Sequence, residues 1–190
     1  MVRKVGVLAL QGNYIQHKRM LDNLGINNIL VQYPRELEKC DLLIIPGGES
    51  TTSSKLIDRN KFRKPIMNFA QINSVFGTCA GMILLSSTKE ANNLKPLGVM
   101  DFKAKRNAYG RQANSFSGNL HLEFDNSNNF KALFIRAPKV SNLGKGIKIL
   151  ATYKKEPVMI SDGRHIATTF HPEIGNDVRI HKYIMEQINA

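Results

Sequence analysis

Short apolar runs alternate with amphipathic stretches through the first half of the chain. Runs rich in Val, Ile and Leu predict strands that are buried on both faces, at residues 5–10, 28–31, 42–45 and 74–77. Between them, polar residues at helical spacing predict helices at 14–24, 36–39 and 52–70, the last broken or restarted at Pro65. This alternation is typical of an open parallel sheet with right-handed crossovers.

The pattern changes after residue 85. Strand-like segments then predominate, at residues 99–106, 118–123, 131–135, 147–153, 157–161 and 165–170. Turn-rich pieces at 125–129 and 161–164 separate some of them, and residues 178–188 predict a closing helix. The predicted fold is one α/β domain spanning residues 1–190. Its three layers are an open, mostly parallel sheet with helices on both sides, with antiparallel strand additions in the C-terminal half.

The composition is that of an ordinary globular protein, with 42% hydrophobic and 22% charged residues in a chain of 190. No apolar run approaches the roughly 20 residues that cross a bilayer. The first apolar run ends at Gln11-Gly12, too early for a secretory signal, and no small-residue cleavage site follows. We therefore expect a cytoplasmic protein without a membrane segment.

The net charge of +12 is compatible with nucleic acid, an anionic surface or an acidic partner protein. The densest basic stretch, residues 55–64, contains Asp58 and lacks the interleaved aromatic residues of a stacking platform. It is interpreted as a solvated helix face, and nucleic-acid binding is not expected. The two cysteines, Cys40 and Cys79, lack the spacing of a metal site, so neither a metal nor a disulfide scaffold is predicted.

Residues 77–81 (GTCAG) link a predicted strand to a predicted helix. A nucleophile on such a tight turn needs small neighbours, and Gly77 and Gly81 provide the space. The turn would place the Cys79 sulfur at a helix N-terminus, where free N–H groups favour a thiolate and can stabilise an oxyanion. By itself the pattern is equally compatible with a buried core cysteine. Cys40 does not lie on a turn of this kind and is interpreted as an ordinary core or surface residue.

A cysteine nucleophile needs a base, and the chain contains five histidines: His17, His121, His165, His171 and His181. Only His171 lies at a predicted strand end with a carboxylate immediately available, in residues 170–173 (FHPE). Pro172 favours extended geometry at His171, and residues two apart in an extended segment point the same way. Glu173 could then orient the imidazole, although a structural histidine at a strand end would show the same pattern.

Together these features resemble the class I (triad) glutamine amidotransferases. More narrowly, the chain is similar to the glutaminase subunits of two-component pyridoxal 5'-phosphate synthases. The resemblance runs nearly end to end, through residues 7–12 (VLALQG), 46–52 (PGGESTT), 77–81 (GTCAG), 106–112 (RNAYGRQ), 134–138 (FIRAP) and 170–173 (FHPE).

The resemblance implies a role for each matching residue. Cys79 is expected to be the nucleophile, His171 the base and acid, and Glu173 the orienter of His171. Backbone N–H groups of Gly48 and Ala80 are expected to form the oxyanion hole. The residues expected to bind L-glutamine are Gly47, Gly48, Glu49, Arg106, Ile135 and Arg136.

The resemblance also implies a partner, a synthase subunit that uses the ammonia to build pyridoxal 5'-phosphate (vitamin B6). Gln11 is expected near the oxyanion strand and this interface, and no cofactor is expected in this subunit. Three alternatives stay open: a different triad glutaminase, such as that of imidazole glycerol phosphate synthase; a cysteine hydrolase on a similar scaffold; and a basic binding module with an inactive triad.

Overall fold

A computed structural model describes residues 4–87, 94–106, 108 and 115–189, and within this part of the chain a nine-stranded sheet forms the centre of the molecule. Five of its strands are parallel and lie side by side in the order β2-β1-β3-β4-β11. Their bounds are β1 Val5–Leu8, β2 Asn28–Val31, β3 Leu42–Ile45, β4 Ser74–Thr78 and β11 Ile166–Thr168. The parallel core predicted from the first half of the sequence is confirmed.

Four antiparallel strands extend the sheet beyond β11, in the order β10-β9-β6-β7. Their bounds are β6 Ser115–Leu122, β7 Asp125–Ile135, β9 Lys148–Tyr153 and β10 Glu156–Ser161. A separate two-stranded sheet pairs β5 (Lys103–Lys105) with β8 (Lys139–Ser141). The predicted antiparallel additions in the C-terminal half are therefore present.

The helices connect the parallel strands and close the chain. They are α1 Tyr14–Asn23, a 3₁₀ helix Pro34–Lys39, α2 Ser50–Arg59, α3 Arg63–Ile72, α4 Ala80–Leu85 and α5 Arg179–Asn189. The long predicted helix is divided at residues 60–62, where Lys61 has a φ of 59°. Pro65 lies in the first turn of α3, where its missing N–H costs no helical hydrogen bond. Among the described residues, no helix has both the length and the apolar character needed to span a bilayer.

The sheet is buried on both faces, as β3 illustrates. Leu43 and Ile45 pack into one apolar cluster with residues of α2 and α3. Leu42 and Ile44, which alternate with them, pack into a second cluster with residues of α1 and α5. A sheet with helices on each side is the three-layer α/β arrangement that the sequence predicted.

Three details differ from the sequence prediction. The last strand of the sheet core, β11, is parallel to β4 and not one of the antiparallel additions. Residues 125–129 belong to β7: Leu122 pairs with Asp125 across a two-residue turn, and after a register shift the pairing resumes at Leu120 and Phe130. Strand β8 was not predicted at all. Of the block 106–112, only residues 106 and 108 are described, so its other residues lie outside the described part.

Candidate active site

Cys79 occupies a strained turn between β4 and α4. Its φ of 48° and ψ of −100° lie in a region that residues with side chains rarely adopt. The flanking glycines make the turn possible: a Cβ at Gly77 would lie 2.7 Å from the carbonyl carbon of Gly81, and one at Gly81 would lie 2.0 Å from the Ile45 oxygen. This explains why small residues were needed on either side of the cysteine.

His171 and Glu173 follow β11 and form a buried hydrogen-bonded pair. His171 Nδ1 lies 2.6 Å from Glu173 Oε1, and the two residues are only 4% and 2% exposed. The predicted contact is confirmed, but its predicted geometry is wrong. Residues 172 and 173 lie in a turn, with the Ile174 N–H donating to the His171 carbonyl at 3.3 Å, and not in an extended segment.

The Cys79 thiol lies next to this pair, because Cys79 and His171 line the same cavity and both side chains lie against Gly47. Burial opposes a charge on His171, but the neighbouring Cys79 and Glu173 raise its pKa well above the ordinary value of 6.5. Burial also opposes a charge on Glu173, yet His17 and the hydrogen bonds from His171 and Asn13 hold the pKa of Glu173 below 4.5. Thiol, imidazole and carboxylate are thus neighbours, with the imidazole hydrogen-bonded to the carboxylate, and they form the candidate triad.

A cavity of about 240 Å³ opens over Cys79 and His171. It is smaller than the roughly 300–1,000 Å³ of sites for drug-sized ligands, and its size suits a small metabolite. The lining residues are Asn13, Gly48, Glu49, Ser50, Cys79, Ala80, Ile83, Arg106, Ile135, Arg136 and His171. Both predicted oxyanion residues and five of the six predicted glutamine contacts are in this set. The sixth, Gly47, lies against the His171 ring instead.

Glu49 combines a place in the cavity wall with the N-cap of α2. Its carboxylate accepts hydrogen bonds from the backbone N–H groups of Thr51 (3.0 Å) and Thr52 (2.6 Å), and from the Thr52 hydroxyl (2.6 Å). Partial burial opposes ionisation, but these hydrogen bonds lower the pKa of Glu49 to about 2. Arg106 is anchored to the same turn, because its guanidinium donates to the Thr51 hydroxyl at 2.9 Å. The cap therefore positions two predicted ligands of glutamine.

Gln11 lies against the segment that carries the predicted oxyanion donor. Its amide nitrogen donates to the Glu49 carbonyl at 3.1 Å and also to the Ser53 hydroxyl. A Cβ at Gly48 would lie 2.6–3.0 Å from the Gln11 amide, so only glycine leaves space for this contact. The expected position of Gln11 beside the oxyanion strand agrees with the structure, while its role in docking a partner stays a prediction.

Sequence reasoning missed the contacts that two polar residues, Asn13 at the N-cap of α1 and His17 within α1, make with the candidate triad. Asn13 donates from Nδ2 to Glu173 Oε1 at 3.0 Å, and its backbone N–H donates to the Gly47 carbonyl at 3.0 Å. His17 lies behind Glu173, with Nε2 3.5 Å from Oε2. The available signal was a spacing of four, which places both side chains on one face of α1, the face turned toward the sheet.

Among the described residues, no three His, Cys, Asp or Glu side chains are grouped so that they could hold a metal ion. The candidate site brings together a thiol, an imidazole, a carboxylate and a cavity wall that carries two arginines.

A strained cysteine on a strand-to-helix turn, close to a His–Glu pair on an open α/β sheet, is the arrangement expected of the class I glutamine amidotransferases. Comparison with known sequences agrees: the chain belongs to the SNO glutamine amidotransferase family, whose sequence profile matches residues 7–190.

Similar proteins include the pyridoxal 5'-phosphate synthase subunit PdxT of Thermotoga petrophila. It is 41% identical over 188 residues, which cover 97% of this chain and 99% of the relative. The protein of the same name from Pelotomaculum thermopropionicum is 43% identical over 185 residues, covering 97% and 94%. The likeness thus extends over nearly the whole of each chain.

Solved structures agree with the fold. The crystal structure of a glutamine amidotransferase superposes with a TM-score of 0.91 at 39% identity, covering 98% of this chain and 99% of the other. A chain of the PurLQS structure from Thermotoga maritima reaches a TM-score of 0.69 at 16% identity, covering 98% and 99%. At that identity the second comparison bears on the fold alone.

Proposed function

We propose that this chain is the glutaminase subunit of a pyridoxal 5'-phosphate synthase. It hydrolyses L-glutamine to L-glutamate and ammonia and delivers the ammonia to a synthase subunit. The observation that carries this proposal is the buried His171–Glu173 hydrogen bond next to Cys79, with the thiol and the imidazole lining one small cavity. The family membership and the names of the full-length relatives support the choice of substrate and partner.

The first half of the reaction forms a thioester. The imidazolium of His171 beside the sulfur favours the Cys79 thiolate, which attacks the side-chain amide carbon of glutamine. The carbonyl oxygen becomes an oxyanion, and the backbone N–H groups of Gly48 and Ala80 donate hydrogen bonds to it. His171 gives its proton to the amide nitrogen, the C–N bond breaks, and ammonia leaves.

The second half releases glutamate. Neutral His171 takes a proton from a water molecule, and the resulting hydroxide attacks the thioester carbon. A second tetrahedral intermediate uses the same two N–H donors and then expels the Cys79 thiolate. Glu173 keeps the imidazole aligned through both halves and stabilises each imidazolium state, the part that the carboxylate performs in other triads.

The cavity wall suits an amino-acid substrate. Arg106 and Arg136 supply positive charge for the α-carboxylate of glutamine, and Glu49 supplies negative charge for the α-ammonium group. The Ile135 carbonyl lies 3.7 Å from the Cys79 sulfur, so it borders the site of attack. Arg136 follows with a φ of 45°, a strained conformation held at the end of β7.

Free ammonia would be lost to solvent, so an ammonia-using partner seated on this side of the molecule is chemically reasonable. Gln11 lies over the Gly48 segment, where docking of a synthase subunit could set the orientation of the oxyanion donor. We assign Gln11 to this interface region.

The test is a glutaminase assay with purified chain, alone and with a synthase subunit. We expect glutamate release that requires Cys79 and ammonia that is incorporated into pyridoxal 5'-phosphate when the synthase and its sugar phosphates are present. Wild-type turnover in a Cys79→Ala variant would disprove the nucleophile. Glutamate release without ammonia transfer to the synthase would disprove the assigned partner.

A further inference from the structure

A second group of polar side chains lies next to Glu173 and does not line the cavity. His17, His181 and Thr78 are each 0–1% exposed. His17 Nδ1 lies 3.0 Å from His181 Nε2, and His17 Nε2 lies 3.2 Å from the Thr78 hydroxyl oxygen. Burying a polar group costs free energy unless the group is hydrogen-bonded. Filling of the core by itself therefore does not account for three polar side chains at this position.

The group contacts the oxygen of Glu173 that His171 does not use. Oε1 is taken by His171 and Asn13. Oε2 is buried, accepts no hydrogen bond of ordinary length within the described part of the chain, and lies 3.5 Å from His17 Nε2. The imidazole of His17 is thus placed to interact with the second carboxylate oxygen of Glu173.

The hydrogen-bond pattern selects one tautomer of His17. If His181 donates its Nε2–H to His17 Nδ1, the His17 proton is on Nε2 and faces both Thr78 and Glu173. The unpartnered Nδ1 of His181 then carries only a lone pair. In the opposite arrangement, His181 would bury an N–H without an acceptor, and a lone pair of His17 would face the carboxylate. An unsatisfied buried donor is the costlier outcome, so the first arrangement is favoured.

Both imidazoles are neutral near pH 7. Desolvation by burial lowers the pKa of His17, and desolvation together with His17 lowers the pKa of His181 to about 3. His17 therefore offers Glu173 an N–H dipole and adds no second positive charge. The negative charge of Glu173 is therefore paired with the imidazolium of His171 and not with a second cation.

The same group reaches the predicted oxyanion segment. The Thr78 hydroxyl accepts a hydrogen bond from the Gly47 backbone N–H at 2.9 Å, next to Gly48. It is therefore an acceptor shared between His17 and the loop after β3. Movement of His17 would disturb the carboxylate on one side and this loop on the other.

We infer that His17, held by His181, is a positioning residue that fixes the orientation of Glu173 and links it through Thr78 to the loop carrying Gly48. The inference rests on the proposed function, since it concerns the rate at which the candidate triad reacts.

The test compares His17→Gln with His17→Asn. Both variants remain polar, but only the longer glutamine amide can place an N–H where Nε2 stands in the wild type. Glutamine hydrolysis is measured in the assembled synthase complex. We expect His17→Asn to lower kcat by roughly 10–100-fold, since small misplacements of catalytic groups have effects of that size. The KM for glutamine should change little, and His17→Gln should recover most of kcat.

A pH profile separates positioning from general destabilisation. Without the N–H of His17, the Glu173 carboxylate is less stabilised against protonation, and His171 and Asn13 are its remaining donors. The acid limb of kcat/KM should therefore move to higher pH in His17→Asn. His165 provides the control, because it is a buried histidine whose Nδ1 accepts the Val75 N–H away from the site. His165→Gln should lower the melting temperature without moving the limb.

The possible outcomes separate the inference from the proposed function. Wild-type kcat and an unmoved acid limb in His17→Asn would overturn the inference while leaving the proposed function intact. Absence of glutamine hydrolysis in the wild-type complex would instead overturn the proposed function. Nitrogen NMR of the wild type provides a measurement that needs no variant: a His17 proton on Nδ1 would contradict the assigned tautomer, and a proton on Nε2 would support it.

Discussion

Gly47 lies directly against the His171 ring. A Cβ at position 47 would be 2.4 Å from His171 Cε1, 2.9 Å from Nδ1 and 3.4 Å from Cys79 Cβ. The absence of a side chain at Gly47 therefore leaves the space in which the imidazole reaches the thiol. Gly47, which was predicted as a glutamine contact, is thus also a direct neighbour of the base.

Gly47→Ala should consequently displace the imidazole. We expect kcat for glutamine hydrolysis to fall about 100-fold, a typical effect of moving a catalytic group by 1 Å. Gly25→Ala is a suitable control, because a Cβ at Gly25 meets nothing within 4 Å, although its φ of 67° strains the variant. The control should lose about 1 kcal/mol of stability and keep its kcat. Equal kcat values for the two variants would contradict the assigned role of Gly47.

The two cysteines should differ sharply in reactivity. Burial raises the pKa of the Cys40 thiol to about 11, so Cys40 stays protonated at neutral pH. Cys79 lines the cavity beside the imidazolium of His171. Iodoacetamide at pH 7 should therefore label Cys79 first, and glutamine should slow that labelling. Mass spectrometry of tryptic peptides checks the site, with Cys40→Ala as the matched variant. Preferential labelling of Cys40 would contradict this account.

Glu173→Gln should remove the charge that supports the imidazolium while preserving the shape of the side chain. We expect kcat to fall by roughly 10³–10⁴-fold, as for the equivalent change in a serine protease triad. Steady-state kinetics in the synthase complex provide the measurement, and circular dichroism checks that the fold is retained. A loss smaller than about tenfold would be inconsistent with the assigned role of Glu173.

The His171–Glu173 pair should also shape the pH dependence of stability. The raised pKa of His171 stabilises the fold fully below 6.5, and this contribution is lost as pH rises through the folded-state value. The lowered pKa of Glu173 stabilises it above 4.5, and this contribution is lost as pH falls. The difference in melting temperature between wild type and Glu173→Gln should therefore be largest between pH 4.5 and 6.5. A difference independent of pH would show that the pair is not charged in the native state.

Glu49 should affect both stability and substrate binding, because its carboxylate caps α2 in the cavity wall. Loss of an N-cap acceptor typically costs about 1 kcal/mol, so Glu49→Ala should lower the free energy of unfolding by that amount. The turn that anchors Arg106 should loosen, and KM for glutamine should rise. Thr52→Val removes the hydroxyl donor but leaves the backbone hydrogen bond, and should have a smaller effect on both measurements. Urea titration and steady-state kinetics provide the comparison.

Some of the site could be predicted because its requirements are local. The turn at Cys79 needs small residues at 77 and 81, and that need is visible in consecutive letters. The pairing of His171 with Glu173 was also predictable, since two residues separated by one lie within reach in several backbone conformations. An extended strand was expected there, and the chain forms a turn instead, yet the contact is the same.

Other parts could not be predicted because they depend on which segments meet. Nothing local distinguishes β11 as a parallel neighbour of β4, and the asparagine-rich start of β7 favours a turn until its pairing with β6 outweighs that preference. Similarly, the local sequence shows His17 only as a residue of a predicted helix. Its contact with Glu173 depends on a segment far along the chain.

The sequence by itself determined the α/β alternation, the strained cysteine turn and the adjacent base and carboxylate, because each depends on residues within a few positions of one another. Only the tertiary structure decided that Gly47 leaves space for His171, that Asn13 donates to one oxygen of Glu173, and that His17 lies near the other. The physical reason is that hydrogen bonds and steric contacts act over a few ångströms, and the fold alone brings groups distant in sequence within that range.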